Sequence, residues 1–249
     1  MRLLPFFAIA ALAGVLGCSH RVPLATVEVI DMSLSITPRA EQVTLDAVHA
    51  QIGRMERGDI LILVPITGDE ANDAGGRVLH LEAPRTRESY DADMTRFRST
   101  ADSQFAAWSA ALGNVRNRSD ILGSMDLARQ EMDSLPSRSQ RRLIVLSDFL
   151  EDDGQFRFAS DAALGNPGEA QVLADRIRAQ HEFGIVPVRL CLGRLESTDF
   201  PSLPPQRKAA IEAFWAAYFS SMMRRGPVIQ IDPAGILAGA DSDCFFAQS

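Results

Sequence analysis

Residues 26–35, Thr-Val-Glu-Val-Ile-Asp-Met-Ser-Leu-Ser, constrain the fold more than any other stretch of the chain. A run of β-branched and apolar residues ends in one aspartate and two alternate serines. Thr37-Pro38 then opens a helical pattern with Leu45, Val48, Ile52 and Met55 on one face. The strand delivers Asp31, Ser33 and Ser35 to the loop above a sheet, where ligands of open α/β folds bind. One carboxylate and two hydroxyls are hard oxygen donors, the kind that Mg²⁺ prefers. Taken alone, the same residue types also fill turns and cap helices.

Strand and helix patterns alternate along the rest of the chain. Residues 59–66 read as a fully buried second strand, and 68–76 as a turn-rich loop before a third strand at 77–82. So short a connection implies an antiparallel edge hairpin. Segments 88–112 and 120–134 look helical, and 142–147 is a fourth strand. Gly165-Asn-Pro-Gly168 breaks the chain before a helix at about 169–182. A fifth strand spans 185–192, where Pro187 predicts irregular pairing. The last long helix starts near Pro204-Pro205 and sets Ile211, Phe214, Trp215, Tyr218, Phe219 and Met222 on one face, a core pattern. Residues 227–231 form a sixth strand. The expected fold is α/β: a doubly wound, mostly parallel six-stranded sheet with one antiparallel edge strand and helices on both faces.

Two later segments belong with the first motif. Arg118-Ser119-Asp120 lies in a loop that runs into an amphipathic helix, and residues 141–148 are a buried-strand pattern ending in Asp148. In order and approximate spacing, the chain from about residue 24 to 232 resembles the von Willebrand factor A domain. That family's metal-ion-dependent adhesion site uses Asp-x-Ser-x-Ser, then a distant Thr, then an Asp at the end of a later strand. On this resemblance Asp31, Ser33 and Ser35 match the first motif, Ser119 stands where Thr is usual, and Asp148 matches the last position. The resemblance implies Mg²⁺ or Mn²⁺ held by the hydroxyls directly and by the aspartates often through water, with one position open for an Asp or Glu of a partner protein. It implies a protein-binding module rather than an enzyme. Three departures stand out. Ser119 lacks the methyl that stiffens a threonine rotamer. Phe149 follows Asp148 where many members have Gly, and the long gap from Ser35 to Ser119 points to an insertion within 84–117.

Catalytic readings find little footing. The chain has no Gly-x-Ser-x-Gly, no His-Glu-x-x-His and no paired-cysteine zinc pattern. His20, His49, His80 and His181 read as solvated or locally hydrogen-bonded. A metal-dependent, phosphatase-like hydrolase using Asp31 would want a second aspartate two residues on as general acid, and that position is Ser33. The alternatives to a binding module are therefore that hydrolase, or a structural lipoprotein with a vacant metal site. A net charge of −7 argues against nucleic-acid binding. Lys208, the one lysine, sits in a helical pattern, so P-loop chemistry has no place to work.

The N-terminus reads as a targeting segment. Arg2 precedes an apolar run to Leu16 that is shorter than the roughly 20 residues of a membrane span. Val15-Leu16-Gly17-Cys18 resembles a bacterial lipobox; cleavage after Ala11-Leu12-Ala13 is the rival. The expected organisation is a lipoprotein signal peptide at 1–17, a lipidated tether at 18–23 beginning with Cys18, a domain at 24–240 and a tail at 241–249. Such a protein sits in the bacterial cell envelope, with Ser19 favouring the outer membrane and a domain facing the periplasm. Cys191 and Cys244 are then expected as one disulfide, or as two buried thiols. Arginines before the parallel strands, Arg141 and Arg142 among them, are expected on the membrane-proximal face, many at helix C-termini. Asp69, Glu70, Asp73, Glu151, Asp152 and Asp153 are expected as solvated loop acids on the opposite, metal-binding face.

Overall fold

The computed structural model describes residues 21–68, 77–85, 90–112, 118–180, 189–223 and 228–230. Its centre is β1, Leu24–Asp31, buried from Ala25 onwards. Burial of successive residues requires cover on both faces, which a central strand of a parallel sheet receives. β1 pairs in parallel with β2, Ile60–Ile66, on one edge and with β4, Gln140–Ser147, on the other. β3, Leu79–Glu82, runs antiparallel to β2 at the sheet edge. β5, Arg189–Arg194, and β6, Val228–Gln230, extend the other side in parallel. The order β3-β2-β1-β4-β5-β6 matches the expected six-stranded sheet with one antiparallel edge. The chain leaves β1 toward β2 and returns to pair with β1 from the other side. The switch point of the topology, where crevices open in such sheets, therefore lies between β1 and β4.

Among the described residues, five α-helices cover the two faces: α1 Pro38–Arg54, α2 Tyr90–Leu112, α3 Ile121–Ser134, α4 Pro167–Gln180 and α5 Pro205–Met223. The alternation of strand side chains sorts the core. Ala25, Val27, Val29, Leu143 and Val145 join residues of α3, α4 and α5 in one cluster. Ile30, Leu61 and Leu63 join Val48 and Ile52 of α1 and Phe105 of α2 in a second, and Ile144, Leu146 and Cys191 join Ala40 and Ala47 of α1 in a third. The apolar face of α5 is core, as its spacing predicts. Phe214, Trp215, Tyr218 and Phe219 are buried, and Phe214 meets Phe158 edge-to-face at 4.6 Å. Burying such side chains contributes roughly 1.5–3 kcal/mol each, the main force holding the helical layer on the sheet.

Local chemistry fixes the helix starts. Thr37 caps α1 by accepting the Ala40 N–H at 3.3 Å, with Pro38 in the first turn. α4 begins at Pro167 rather than 169, because Asn166 accepts the Glu169 N–H at 3.1 Å and so acts as a cap where the sequence pattern suggested only a break. His49 lies 3.0 Å from Asp102, and His80 lies 3.3 Å from Glu131, the local pairings expected of them.

One basic residue is not where the sequence suggested. Arg142 is 1% exposed, inside the sheet layer rather than on the membrane-proximal surface. Its charged neighbours are Arg189, Asp59 and Glu28, the last fully buried in the middle of β1. Burial pushes Glu28 up to about 8, with the Arg142 charge acting against that rise. Neither Glu28 carboxylate oxygen has a hydrogen-bond partner among the described residues. Arg141 follows the helix-terminus expectation: it donates to the carbonyls of Met132 at 2.9 Å and Leu135 at 2.7 Å, at the end of α3.

Candidate functional site

The register of the sheet assembles the site. Ile30 pairs with Leu146, so Asp31 at the end of β1 stands level with Ser147 at the end of β4. The Ser147 hydroxyl donates to Asp31 Oδ2 at 2.6 Å, and the Ser33 N–H donates to Asp31 Oδ1 at 2.9 Å. Both oxygens of the buried Asp31 are therefore held. The Ser33 and Ser35 hydroxyls lie 2.9 Å apart, and the Ser35 hydroxyl donates to Asp148 Oδ2 at 3.2 Å. The other Asp148 oxygen accepts the Leu150 N–H at 2.9 Å. Asp31, Ser33, Ser35 and Asp148 thus form one hydrogen-bonded group at the crevice between β1 and β4.

The serine loop is tied from both sides. The Met32 N–H donates to the Ile66 carbonyl at 3.4 Å, and Ile36 bridges to Ser197 beyond β5. The Thr198 N–H donates to the Ser35 carbonyl at 2.9 Å. Ser119 is placed by a two-way backbone bridge to Asp152, with N···O distances of 3.3 and 2.8 Å. It lines the same cavity as Ser33 and Ser35, a space of about 370 Å³ walled also by Leu34, Arg118, Leu150, Glu151, Arg157 and Thr198. Four of the five sequence-derived donors are in direct or bridged hydrogen-bond contact; the fifth, Ser119, shares the cavity lining with Ser33 and Ser35, while Asp31 and Asp148 are buried and do not line it. Leu34, between the two serines, is 70% exposed and forms an apolar point on the rim.

The two buried carboxylates, Asp31 and Asp148, act on each other. Burial, and after it the repulsion of Asp31, pushes Asp148 up to about 6, while the Leu150 N–H and the Ser197 and Ser35 hydroxyls work in the opposite direction. Phe149, where glycine was noted as usual, has φ of 64°, the left-handed region that glycine enters at no steric cost. It is held there by tertiary contacts. Its ring lies 5.7 Å from Trp215, whose indole N–H donates to the Phe149 carbonyl at 2.9 Å.

Sequence reasoning missed Ser147 and Ser197. Ser147 directly precedes Asp148, and its signal was the end of β4 itself: a strand-end hydroxyl beside the strand that carries Asp31. Glu151 was misjudged. It is 1% exposed, not solvated, and its Oε2 accepts the Leu122 N–H at 2.9 Å in the first turn of α3. Burial and the nearby Asp120 and Asp153 charges push its carboxyl well above the usual range. Asp152 pairs with Arg157 at 3.4 Å. Cys191 is buried in β5 and disulfide-bonded. Cys18, Cys244, Asp69, Glu70, Asp73, His20 and His181 lie outside the described residues. No described helix is long and apolar enough to cross a membrane.

No protein-family model and no curated protein matches the chain. Solved structures do resemble it. The pilus adhesin SpaC from Lactobacillus rhamnosus GG, in its open conformation, is similar over 90% of this chain and 30% of its own, with 13% identity and a TM-score of 0.50. A von Willebrand factor type A protein from Catenulispora acidiphila is similar over 90% of this chain and 42% of its own, at 19% identity and a TM-score of 0.46. The conserved hypothetical protein BatB from Bacteroides thetaiotaomicron is similar over 88% of this chain and 96% of its own, at 11% identity and a TM-score of 0.45. At such identities the likeness is one of architecture. Sheet order, the helices on both faces and the likeness to the SpaC adhesin agree with the α/β architecture that the von Willebrand factor A resemblance implies.

Proposed function

We propose that this chain is a membrane-anchored, extracytoplasmic protein-binding module, with Asp31, Ser33, Ser35, Ser119 and Asp148 holding a divalent ion that meets an Asp or Glu of a partner. The observation that carries this reading is the Ser33–Ser35–Asp148 hydrogen-bonded run beside Asp31, opening on a cavity at the switch point of the sheet. The donor set fits Mg²⁺ or Mn²⁺: three hydroxyls and two carboxylates, all hard oxygen, with room for water in the cavity. When bound, such an ion supplies a Lewis-acid position to which a partner's carboxylate oxygen can attach.

The remaining work falls to this chain's own residues. Ser147 and the Ser33 N–H fix the Asp31 carboxylate, so it presents charge without moving. That double hold also disfavours Asp31 as a nucleophile, and with Ser33 two residues on, the hydrolase reading gains no support from the geometry. Ser119 offers its hydroxyl from the loop that Asp152 braces. Leu34 and Arg118 stand on the rim, where an apolar and a basic contact would meet the partner segment beside its carboxylate. The anchor would be lipid on Cys18, which places the site at the far end of β1 from the membrane. Multiple acyl chains bind far more stably than one, since each buried CH₂ contributes about 0.8 kcal/mol.

Calorimetry with Mg²⁺ and Mn²⁺ on the unlipidated chain and on Asp31→Ala tests the site, and capture of partners from cell envelopes with and without chelator tests its use. Expected are ion-binding heats that Asp31→Ala loses and Ser119→Thr keeps, and partners released by chelator. Equal heats for wild type and Asp31→Ala, or the same partners captured in chelator, would leave only the shared fold. Fractionation of cells expressing Cys18→Ala tests the anchor; a variant that stays with the membrane like wild type sinks it.

A further inference from the structure

We propose that Asp120, Glu151 and Asp153 form a second cation site, built for Ca²⁺, at the N-terminal end of α3. One carboxylate oxygen from each residue lies within 4.8 Å of the others. Ca²⁺ binds oxygen at about 2.3–2.6 Å, and its loose geometry accepts loop ligands and water, so three carboxylates this close can gather around it. Mg²⁺ demands oxygens at about 2.0–2.1 Å in a near-ideal octahedron and gives up its waters reluctantly, so it is less suited than Ca²⁺ to three carboxylates from separate loop positions.

Each carboxylate is oriented by one of its two oxygens. Asp120 Oδ1 accepts the Gly123 N–H at 2.7 Å, and Asp153 Oδ1 accepts the N–H groups of Gln155 and Phe156, both at 2.7 Å. Glu151 Oε2 accepts the Leu122 N–H at 2.9 Å, and the Ile121 N–H also acts on this carboxylate. Glu151 Oε1 is different: it is buried, on a residue 1% exposed, and has no hydrogen-bond partner among the described residues. A buried carboxylate oxygen without a partner is costly, and an uncompensated buried charge more so.

The surroundings do not supply the missing positive charge. The α3 N-terminus contributes the equivalent of roughly half a unit charge against three carboxylates. The charges that act on Glu151 are the other two acids, Asp120 and Asp153. Of the described cations beside this loop, Arg157 is engaged by Asp152, and the Arg118 guanidinium lies against Gly154; neither is among the charges that act on Glu151. A divalent ion offsets most of the excess and gives Glu151 Oε1 its partner. The site shares no ligand with the Asp31 group, although Glu151 also walls the cavity that Ser33, Ser35 and Ser119 line. Its ligands do stand on the same two loops, Asp120 next to Ser119 and Glu151 three residues after Asp148, so an ion here would brace the loops that carry them.

The experiment uses Asp31→Ala as the background, which silences the first site whether or not that site binds metal. Calorimetry with CaCl₂ and thermal melts with and without Ca²⁺ are then run on this variant alone and combined with Glu151→Gln or Asp153→Asn. Asn keeps the Oδ1 acceptor for Gln155 and Phe156, so Asp153→Asn removes charge without removing the turn; circular dichroism checks that the fold persists. Expected is one Ca²⁺ per chain and a Ca²⁺-dependent rise in Tm in the background, both lost in each double variant. No Ca²⁺ heat in Asp31→Ala, or heat and Tm rise undiminished in both double variants, overturns the site.

Discussion

Replacing Phe149 offers the sharpest test of how the site's backbone is held. Phe149 sits at φ 64°, is 6% exposed and packs on Trp215. Two effects of opposite sign follow from any truncation. Loss of a buried phenylalanine ring costs about 3–5 kcal/mol. Left-handed backbone costs a non-glycine residue roughly 1–2 kcal/mol, which only glycine recovers, and glycine returns about 0.5–1 kcal/mol of that as extra freedom in the unfolded chain. Phe149→Ala should therefore destabilise by about 3–5 kcal/mol and Phe149→Gly by about 2–4 kcal/mol. At ~2–4 °C per kcal/mol for a domain of this size, Tm should fall by roughly 5–15 °C for glycine and by a few degrees more for alanine. The Trp215 indole keeps its acceptor in both variants, because that acceptor is the backbone carbonyl. Chemical denaturation and thermal melts of the three proteins give the ranking wild type, glycine, alanine. A glycine variant more stable than wild type would mean that the ring contributes less than the strain it imposes. An alanine variant at least as stable as the glycine one would falsify the strain itself.

Two further outcomes follow from buried groups. Glu28 is pushed up to about 8 by burial, so the folded state holds its proton more tightly than the unfolded chain; its contribution is fully present below about pH 4.5 and stability declines as pH rises toward 8. Glu28→Gln should remove that slope, gaining over wild type by at most about 1.4 kcal/mol per pH unit in this window, and an equal stability difference at pH 5 and pH 8 would show that Glu28 does not titrate there. For the disulfide of Cys191 we expect Cys244 as partner; Cys244→Ser should expose an alkylatable thiol and cost about 4 kcal/mol in the chain-entropy model, whereas two free thiols in the exported wild-type protein would refute the pairing.

What the sequence determined by itself was local. Alternating apolar runs located the strands, Thr37-Pro38 set the start of α1, and the i, i+3, i+4 aromatics of α5 marked its buried face, because each signal lies within one or two turns of chain. Strand ends and donor types likewise made Asp31, Ser33, Ser35, Ser119 and Asp148 legible as candidates. Tertiary structure decided everything that depends on which distant residues share a level. Ser147 reaches Asp31 across 116 positions because the β1–β4 register puts them side by side. Arg142 and Glu28 are internal because the β1–β4 register sets both on the α1 side of a sheet that helices cover on both faces, although their residue types predict surface. Glu151 is buried because the loop after β4 folds onto the first turn of α3, so an acidic triplet that reads as solvated encloses one carboxylate. The left-handed turn at Phe149 is held by Trp215, 66 positions away. No window of sequence carries that information, since such contacts form only once the sheet has closed and the helices have packed on it.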